Sequence, residues 1–126
     1  MFSYIRHSFL HLHNIISPFG QFVKFCVYIS ILTPYPKSER FVLVEEIKRT
    51  LYSGLRLLVY ALKIYNKQEK LKYLNELDAC LKLLQVHIRI SFKYKYISMQ
   101  NYSTWSDKLT EVCKMLGGWI SSCLKK

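Results

Sequence analysis

Turn-forming residues are scarce in this chain. Four glycines and three prolines in 126 residues are too few for the many reversals of a strand-and-turn architecture, so an all-α fold is expected. Acidic residues are scarce as well: eight against 19 lysines and arginines, for a net charge of +11. Such an imbalance says little about fold and much about partners; nucleic acid and anionic membrane surfaces are the natural ones. Long apolar runs are missing too. Lys24 interrupts the stretch from Pro18 to Leu32, which leaves it short of the ~20 apolar residues of a membrane span. The N-terminus does not read as a secretory signal, because His11, His13 and Asn14 break its apolar run and no small-residue cleavage site follows. Cys26, Cys80, Cys113 and Cys123 form no C-x-x-C pair and have neither zinc-site nor disulfide-framework spacing. They read as free thiols in a reducing, cytoplasmic compartment.

Catalytic signatures are equally thin. No Gly-rich phosphate loop, H-E-x-x-H or G-x-S-x-G occurs. The acids stand one helical turn from bases, as in Glu45–Arg49 and Asp107–Glu111–Lys114, which reads as surface pairing and not as a catalytic carboxylate pair. His7 and His11 share a helical spacing but have no third ligand, so no metal or other cofactor is expected. Arg6 and His11 also fit the R-(polar)-x-x-x-H pattern of HEPN-type ribonucleases, an enzymatic alternative that rests on those two residues. His87, between Val86 and Ile88, reads as a partly buried structural histidine.

What the chain does have is apolar periodicity. Residues 1–17 read as a short or poorly ordered helical extension, and residues 18–126 as one four-helix-bundle domain. Phe22, Phe25, Ile29 and Leu32 mark a first helix over Phe19–Leu32, stopped by Pro34 and Pro36. A second runs from Pro36 to Tyr65 on the stripe Phe41, Val44, Ile47, Leu51, Leu55, Leu58 and Leu62. A third begins near Gln68, after Asn66, with a seam of Leu71, Leu74, Leu77, Leu81, Leu84, Ile88 and Phe92. Ser98 caps a fourth, Met99 to about Ser122, on Tyr102, Trp105, Leu109, Val112, Leu116 and Trp119. Short links make neighbours antiparallel, and an up-down-up-down four-helix bundle is expected.

Two of these helices also carry lines of positive charge. Arg49, Arg56 and Lys63 recur every seven residues and fall within about 40° of one line, with Tyr52 and Tyr60 in the same sector. Lys82, Arg89 and Lys93 form a second line on the third helix, which ends in the acid-free run HIRISFKYKY. Cations at that spacing suit phosphates, and the tyrosines suit unpaired bases, so these eight residues are the candidate nucleic-acid-binding set. Gly54, inside the second helix, and Gly117 and Gly118, inside the fourth, cost about 1 kcal/mol each in propensity. They are candidate positions for close helix or subunit packing.

From Tyr35 onward the chain resembles the accessory variability determinant (Avd) family of diversity-generating retroelements. The matching segments are YPKSERFVL (Tyr35–Leu43), EKLKYLNELDACLKLLQVHIRIS (Glu69–Ser91) and, most specifically, KLTEVCKMLGGWI (Lys108–Ile120). The related ribosomal intervening-sequence bundle proteins, whose role is unknown and which stand as the alternative resemblance, share an F-P-x-x-E-R-F run, but their S-I-P-x-N-I-A-E-G-like segment is replaced here by TLYSGLRLLVY, so the Avd branch fits better. The resemblance implies a non-catalytic four-helix bundle that forms a homopentamer. It also implies that the bundle binds the reverse transcriptase together with RNA or DNA, in support of mutagenic reverse transcription. The membrane is not an expected partner. Trp119, in the M-L-G-G-W-I ending with Gly117 and Gly118, joins the candidate packing positions, and Met1–Thr33 lacks the charged, aromatic-rich first helix of the family.

Overall fold

Two polar side chains set where long helices begin. In the computed structural model, which describes Gly20, residues 35–40 and residues 42–125, the Asn66 side-chain oxygen accepts hydrogen bonds from the backbone N–H groups of Gln68 (2.8 Å) and Glu69 (3.2 Å). Ser98 Oγ accepts one from the Asn101 N–H at 3.1 Å. Both satisfy donors that a helix start leaves without an intrahelical partner. The elements are a single turn, α1 (Lys37–Arg40), and three long helices, α2 (Leu43–Lys63), α3 (Lys67–Lys93) and α4 (Met99–Leu124). No strand occurs among the described residues. The regular structure of the described residues is all helix, as the few turn residues of the chain imply. The expected extension Met1–Ser17, the apolar stripe of the helix expected over Phe19–Leu32, and Phe41 lie outside the described residues. So, therefore, does the fourth member of the expected bundle.

The second expected helix is interrupted at Val42, which separates α1 from α2. It also stops at Lys63, two residues early. Ile64 turns extended (φ −81°, ψ 131°) so that Asn66 can take its own extended capping conformation. The fourth runs on to Leu124, past its expected end near Ser122.

Consecutive long helices are antiparallel. Tyr60, near the end of α2, meets Tyr73, near the start of α3, with ring centroids 5.6 Å apart. Phe92 stacks on Tyr102 at 4.6 Å, Gln85 Nε2 donates to Cys113 Sγ at 3.6 Å, and the Lys70 ammonium lies 5.6 Å from the Trp119 ring centre. Those three contacts run α3 and α4 in opposite directions. Both α2 and α4 lie along α3, and among the described residues their backbones do not approach each other.

The core follows the expected seams of α3 and α4. Leu74, Leu77, Leu81, Leu84 and Ile88 of α3 are buried, as are Trp105, Leu109, Val112 and Leu116 of α4. On α2 the buried face keeps Ile47, Leu51 and Leu58 of the expected stripe and adds Leu43, Thr50, Gly54 and Ala61. Val44, Leu55 and Leu62 of the expected stripe are only half-buried. At about 100° per residue, the buried face is turned by about 70° from the stripe that the large apolar residues suggest. The residues added to the face, Thr50, Gly54 and Ala61, are small, which suits close packing, and the Thr50 hydroxyl is satisfied by donating to the Glu46 carbonyl at 2.8 Å.

A buried polar chain closes one end. The Tyr35 hydroxyl donates to Ser91 Oγ at 2.7 Å, and Ser91 Oγ donates to the His87 carbonyl at 2.8 Å. Burial pushes the Tyr35 pKa up. His87 is half-buried, its Nδ1 having no hydrogen-bond partner among the described residues. Burial holds its pKa below the ordinary 6.5, with the Glu46 carboxylate pulling weakly the other way.

The same end holds the one non-glycine residue with positive φ among those described, Lys95 at φ 63°. The Lys95 N–H bonds the Phe92 carbonyl (2.9 Å) and the Tyr96 N–H bonds the Ser91 carbonyl (2.8 Å). This is the paired closure of a Schellman C-terminus, where glycine is the usual occupant.

Two outcomes are expected. Lys95→Gly should raise stability by about 1 kcal/mol, the cost of holding a lysine left-handed, read as a higher Tm. His87, with a folded pKa below its unfolded one, contributes stability that is complete above about pH 6.5 and is lost as pH falls below it. Urea unfolding midpoints measured from pH 7 to pH 5 should therefore fall, and fall less in His87→Gln.

Candidate functional site

The first basic line stands directly opposite the core. Because the buried face of α2 is recentred on Gly54, Arg49, Arg56 and Lys63 point about 165° away from it. Their seven-residue spacing sets them about 10.5 Å apart along the helix. All three are exposed. Arg49, with 74% of its side chain exposed, pairs with Glu46 at 3.4 Å and not with the expected Glu45. Glu46 is the acid on the flank facing α3, where it also acts on His87. The Asp107–Glu111–Lys114 pairing expected on α4 does not form within ion-pair distance. Tyr52 stands clear of the surface at 64% exposure. Tyr60 is half exposed, one side of its ring being taken by Tyr73. Arg56 borders a shallow, open groove between α2 and α3 that Ser53, Leu57, Glu76, Ala79 and Cys80 complete.

The second line lies on the other flank of α3. Lys82, Arg89 and Lys93 are exposed, and Lys82 is near enough to Cys113 of α4 to oppose the upward push that burial and Asp78 give that thiol. Between the two lines runs an exposed apolar ridge of α3 with Ala79, Leu83 and Val86. The structure thus places the eight candidate residues on the surface but divides them between two lines. Arg56, Lys63, Lys82, Arg89 and Lys93 are in no ion pair among the described residues, so their charge is unneutralised.

The candidate packing positions separate as well. Gly54 is buried in the α2 face. Gly117 and Gly118 are exposed, and a Cβ built on either meets nothing within 4 Å, so no close helix approach among the described residues explains them. Trp119 is half-buried beneath the Lys70 ammonium.

Nothing else among the described residues offers chemistry. Burial pushes the thiols of Cys80 and Cys113 up, with Glu76 adding to the effect on Cys80, so neither is a thiolate near neutral pH. Cys80, Cys113 and Cys123 are free thiols. No group of three potential metal ligands occurs among the described residues, and no helix there is long and apolar enough to cross a membrane. Arg6, His7 and His11 lie outside the described residues. Sequence reading missed Tyr94 and Lys95, exposed at the turn after α3. Their only signal was the acid-free run in which they stand.

In comparisons with known proteins, a family model described as bAvd-like matches residues 18–123. No curated protein matches.

Two lines separated by a ridge should act independently on a polyanion. Binding of heparin to Arg49→Gln/Arg56→Gln/Lys63→Gln, to Lys82→Gln/Arg89→Gln/Lys93→Gln and to the sixfold variant should give losses that add within about 0.5 kcal/mol. A single merged surface would give strong non-additivity.

Proposed function

The chain belongs to the bAvd-like family, and on that premise we propose that it is a non-catalytic accessory protein of a diversity-generating retroelement. In this reading it binds the element's reverse transcriptase and nucleic acid, template RNA or its cDNA, through the basic outer surface, and so supports mutagenic copying. The observation that carries the reading is the α2 line: Arg49, Arg56 and Lys63 opposite the core, with Tyr52 bare beside them. Cations placed this way neutralise phosphates and release counterions, and they cost the core nothing because none is desolvated on folding. The polymerase supplies the chemistry of copying; this chain supplies a charged scaffold that holds strand and enzyme together. A homo-oligomer, a pentamer by family resemblance, would repeat the line around an assembly and multiply its effective affinity. The open Gly117–Gly118 surface is then a subunit contact, which its lack of a neighbour among the described residues supports.

Salt dependence tests the phosphate reading directly. Fluorescence anisotropy with labelled RNA and DNA at several salt concentrations should give a steep fall of affinity. In Arg49→Gln/Arg56→Gln/Lys63→Gln the slope of log K against log salt should be shallower by about 2 to 3. An unchanged slope would remove the α2 line from the binding surface.

A further inference from the structure

The turn between α3 and α4 is built unlike an ordinary helix connection. Tyr94 caps α3 and is 65% exposed. Its ring lies nearly parallel to that of Tyr96, centroids 5.9 Å apart and planes 20° apart. Tyr96 meets Tyr35 edge-on at 5.6 Å, and Tyr35 is fixed by its hydrogen bond to Ser91. The inner two rings are anchored, and the outer ring ends the stack in solvent. Lysines flank it on both sides. Lys93 is exposed, and Lys95 is exposed in the left-handed conformation that glycine would hold at lower cost. No acidic residue occurs between Asp78 and Asp107. A strained residue of this kind, kept as a cation beside an open aromatic face, points to a ligand.

We propose that this corner, Lys93 to Tyr96, is a stacking site for an unpaired base of single-stranded nucleic acid, with Tyr94 as the platform and Lys93 and Lys95 holding the flanking phosphates. It rests on the reading of the protein as a nucleic-acid binder, and it adds a site and a strand preference that the α2 line does not have. A planar base extends the tyrosine stack by one ring, and every base has such a face, so the contact is tolerant of sequence. In the interior of a duplex both faces of each base are already occupied, so the body of a duplex engages the lysines but not the platform. An anionic lipid surface satisfies the lysines too, but a lipid headgroup has no planar face to lay on Tyr94.

The test uses the full chain and two labelled probes of equal length, an oligo-uridine single strand and a duplex RNA, at one salt concentration, together with flotation on phosphatidylserine vesicles. Tyr94→Ala should weaken single-strand binding on the order of tenfold and leave duplex binding unchanged. Tyr94→Phe, which keeps the ring, should bind as the parent does. Lys95→Gly should weaken single-strand binding while raising Tm, a combination that a purely structural role for Lys95 does not produce. Equal losses on both probes, or no loss in Tyr94→Ala, would overturn the corner site while leaving the salt-slope test of the α2 line standing. So would loss of vesicle binding alone. A parent chain that binds neither probe would overturn the nucleic-acid reading itself, and the corner with it.

Discussion

One buried seam holds the described fold together. Leu74, Leu77, Leu81, Leu84 and Ile88 form the face of α3 that looks into the core between α2 and α4, the two long helices packed along it. Among the described residues α2 and α4 have no close backbone approach of their own, so the angle of each to the other is transmitted through α3. Full burial of an aliphatic side chain contributes about 1.5–3 kcal/mol, and net stabilities of domains are only about 5–15 kcal/mol. Five such side chains in one row are therefore comparable with the whole margin of stability. A change that turned α3 about its axis would move both basic lines at once, because among the described residues the helices are read against each other through that row.

The seams of α3 and α4 are legible in the sequence for the same reason that they are stable. Their buried positions are large and apolar, their other positions are mostly polar, and Asn66 and Ser98 announce the starts. The resemblance read from KLTEVCKMLGGWI and its companions lies within the residues that the bAvd-like model matches. On α2 Ile47, Leu51 and Leu58 are buried as their size suggests, but other large apolar residues misled. Val44, Leu55 and Leu62 outweigh glycine, threonine and alanine on any hydrophobic scale, yet Gly54, Thr50 and Ala61 are buried while those three are only half-buried. Close approach rewards small residues, and a threonine whose hydroxyl is bonded back to its own helix is an apolar surface to its neighbour. A pattern that counts hydrophobicity alone does not register that.

The rotation of α2 has a consequence for charge. With the core face on Gly54, the line Arg49–Arg56–Lys63 points away from the core, with Arg56 bordering the open groove between α2 and α3. The α3 line lies beyond the exposed ridge of Ala79, Leu83 and Val86. A net charge of +11 repels itself, and the repulsion opposes folding. The about 10.5 Å between successive cations of a line matches the Debye length of about 10 Å at 0.1 M salt, so most of that repulsion is screened while each cation stays available to a close anion. Two lines on separate flanks reduce it further. The chain can thus be strongly basic without concentrating its charge where the helices meet.

The α3–α4 corner was not legible, and the reason bears on what it does. Its shape is set by backbone bonds from Lys95 to Phe92 and from Tyr96 to Ser91, and by Tyr35 pinned from the side. None of these needs the Lys95 side chain, and the conformation disfavours any side chain there. A sequence selected for the turn alone would show glycine, and the turn would then have been readable. Lysine at that position costs stability and hides the signal. The seam of α3 makes that cost tolerable, because about 1 kcal/mol at a solvent-exposed corner is small beside what the buried row contributes. Stability concentrated in one row of leucines leaves the ends of the helices free to hold residues that the fold alone does not favour, and the exposed Tyr94 between its two lysines stands at such an end.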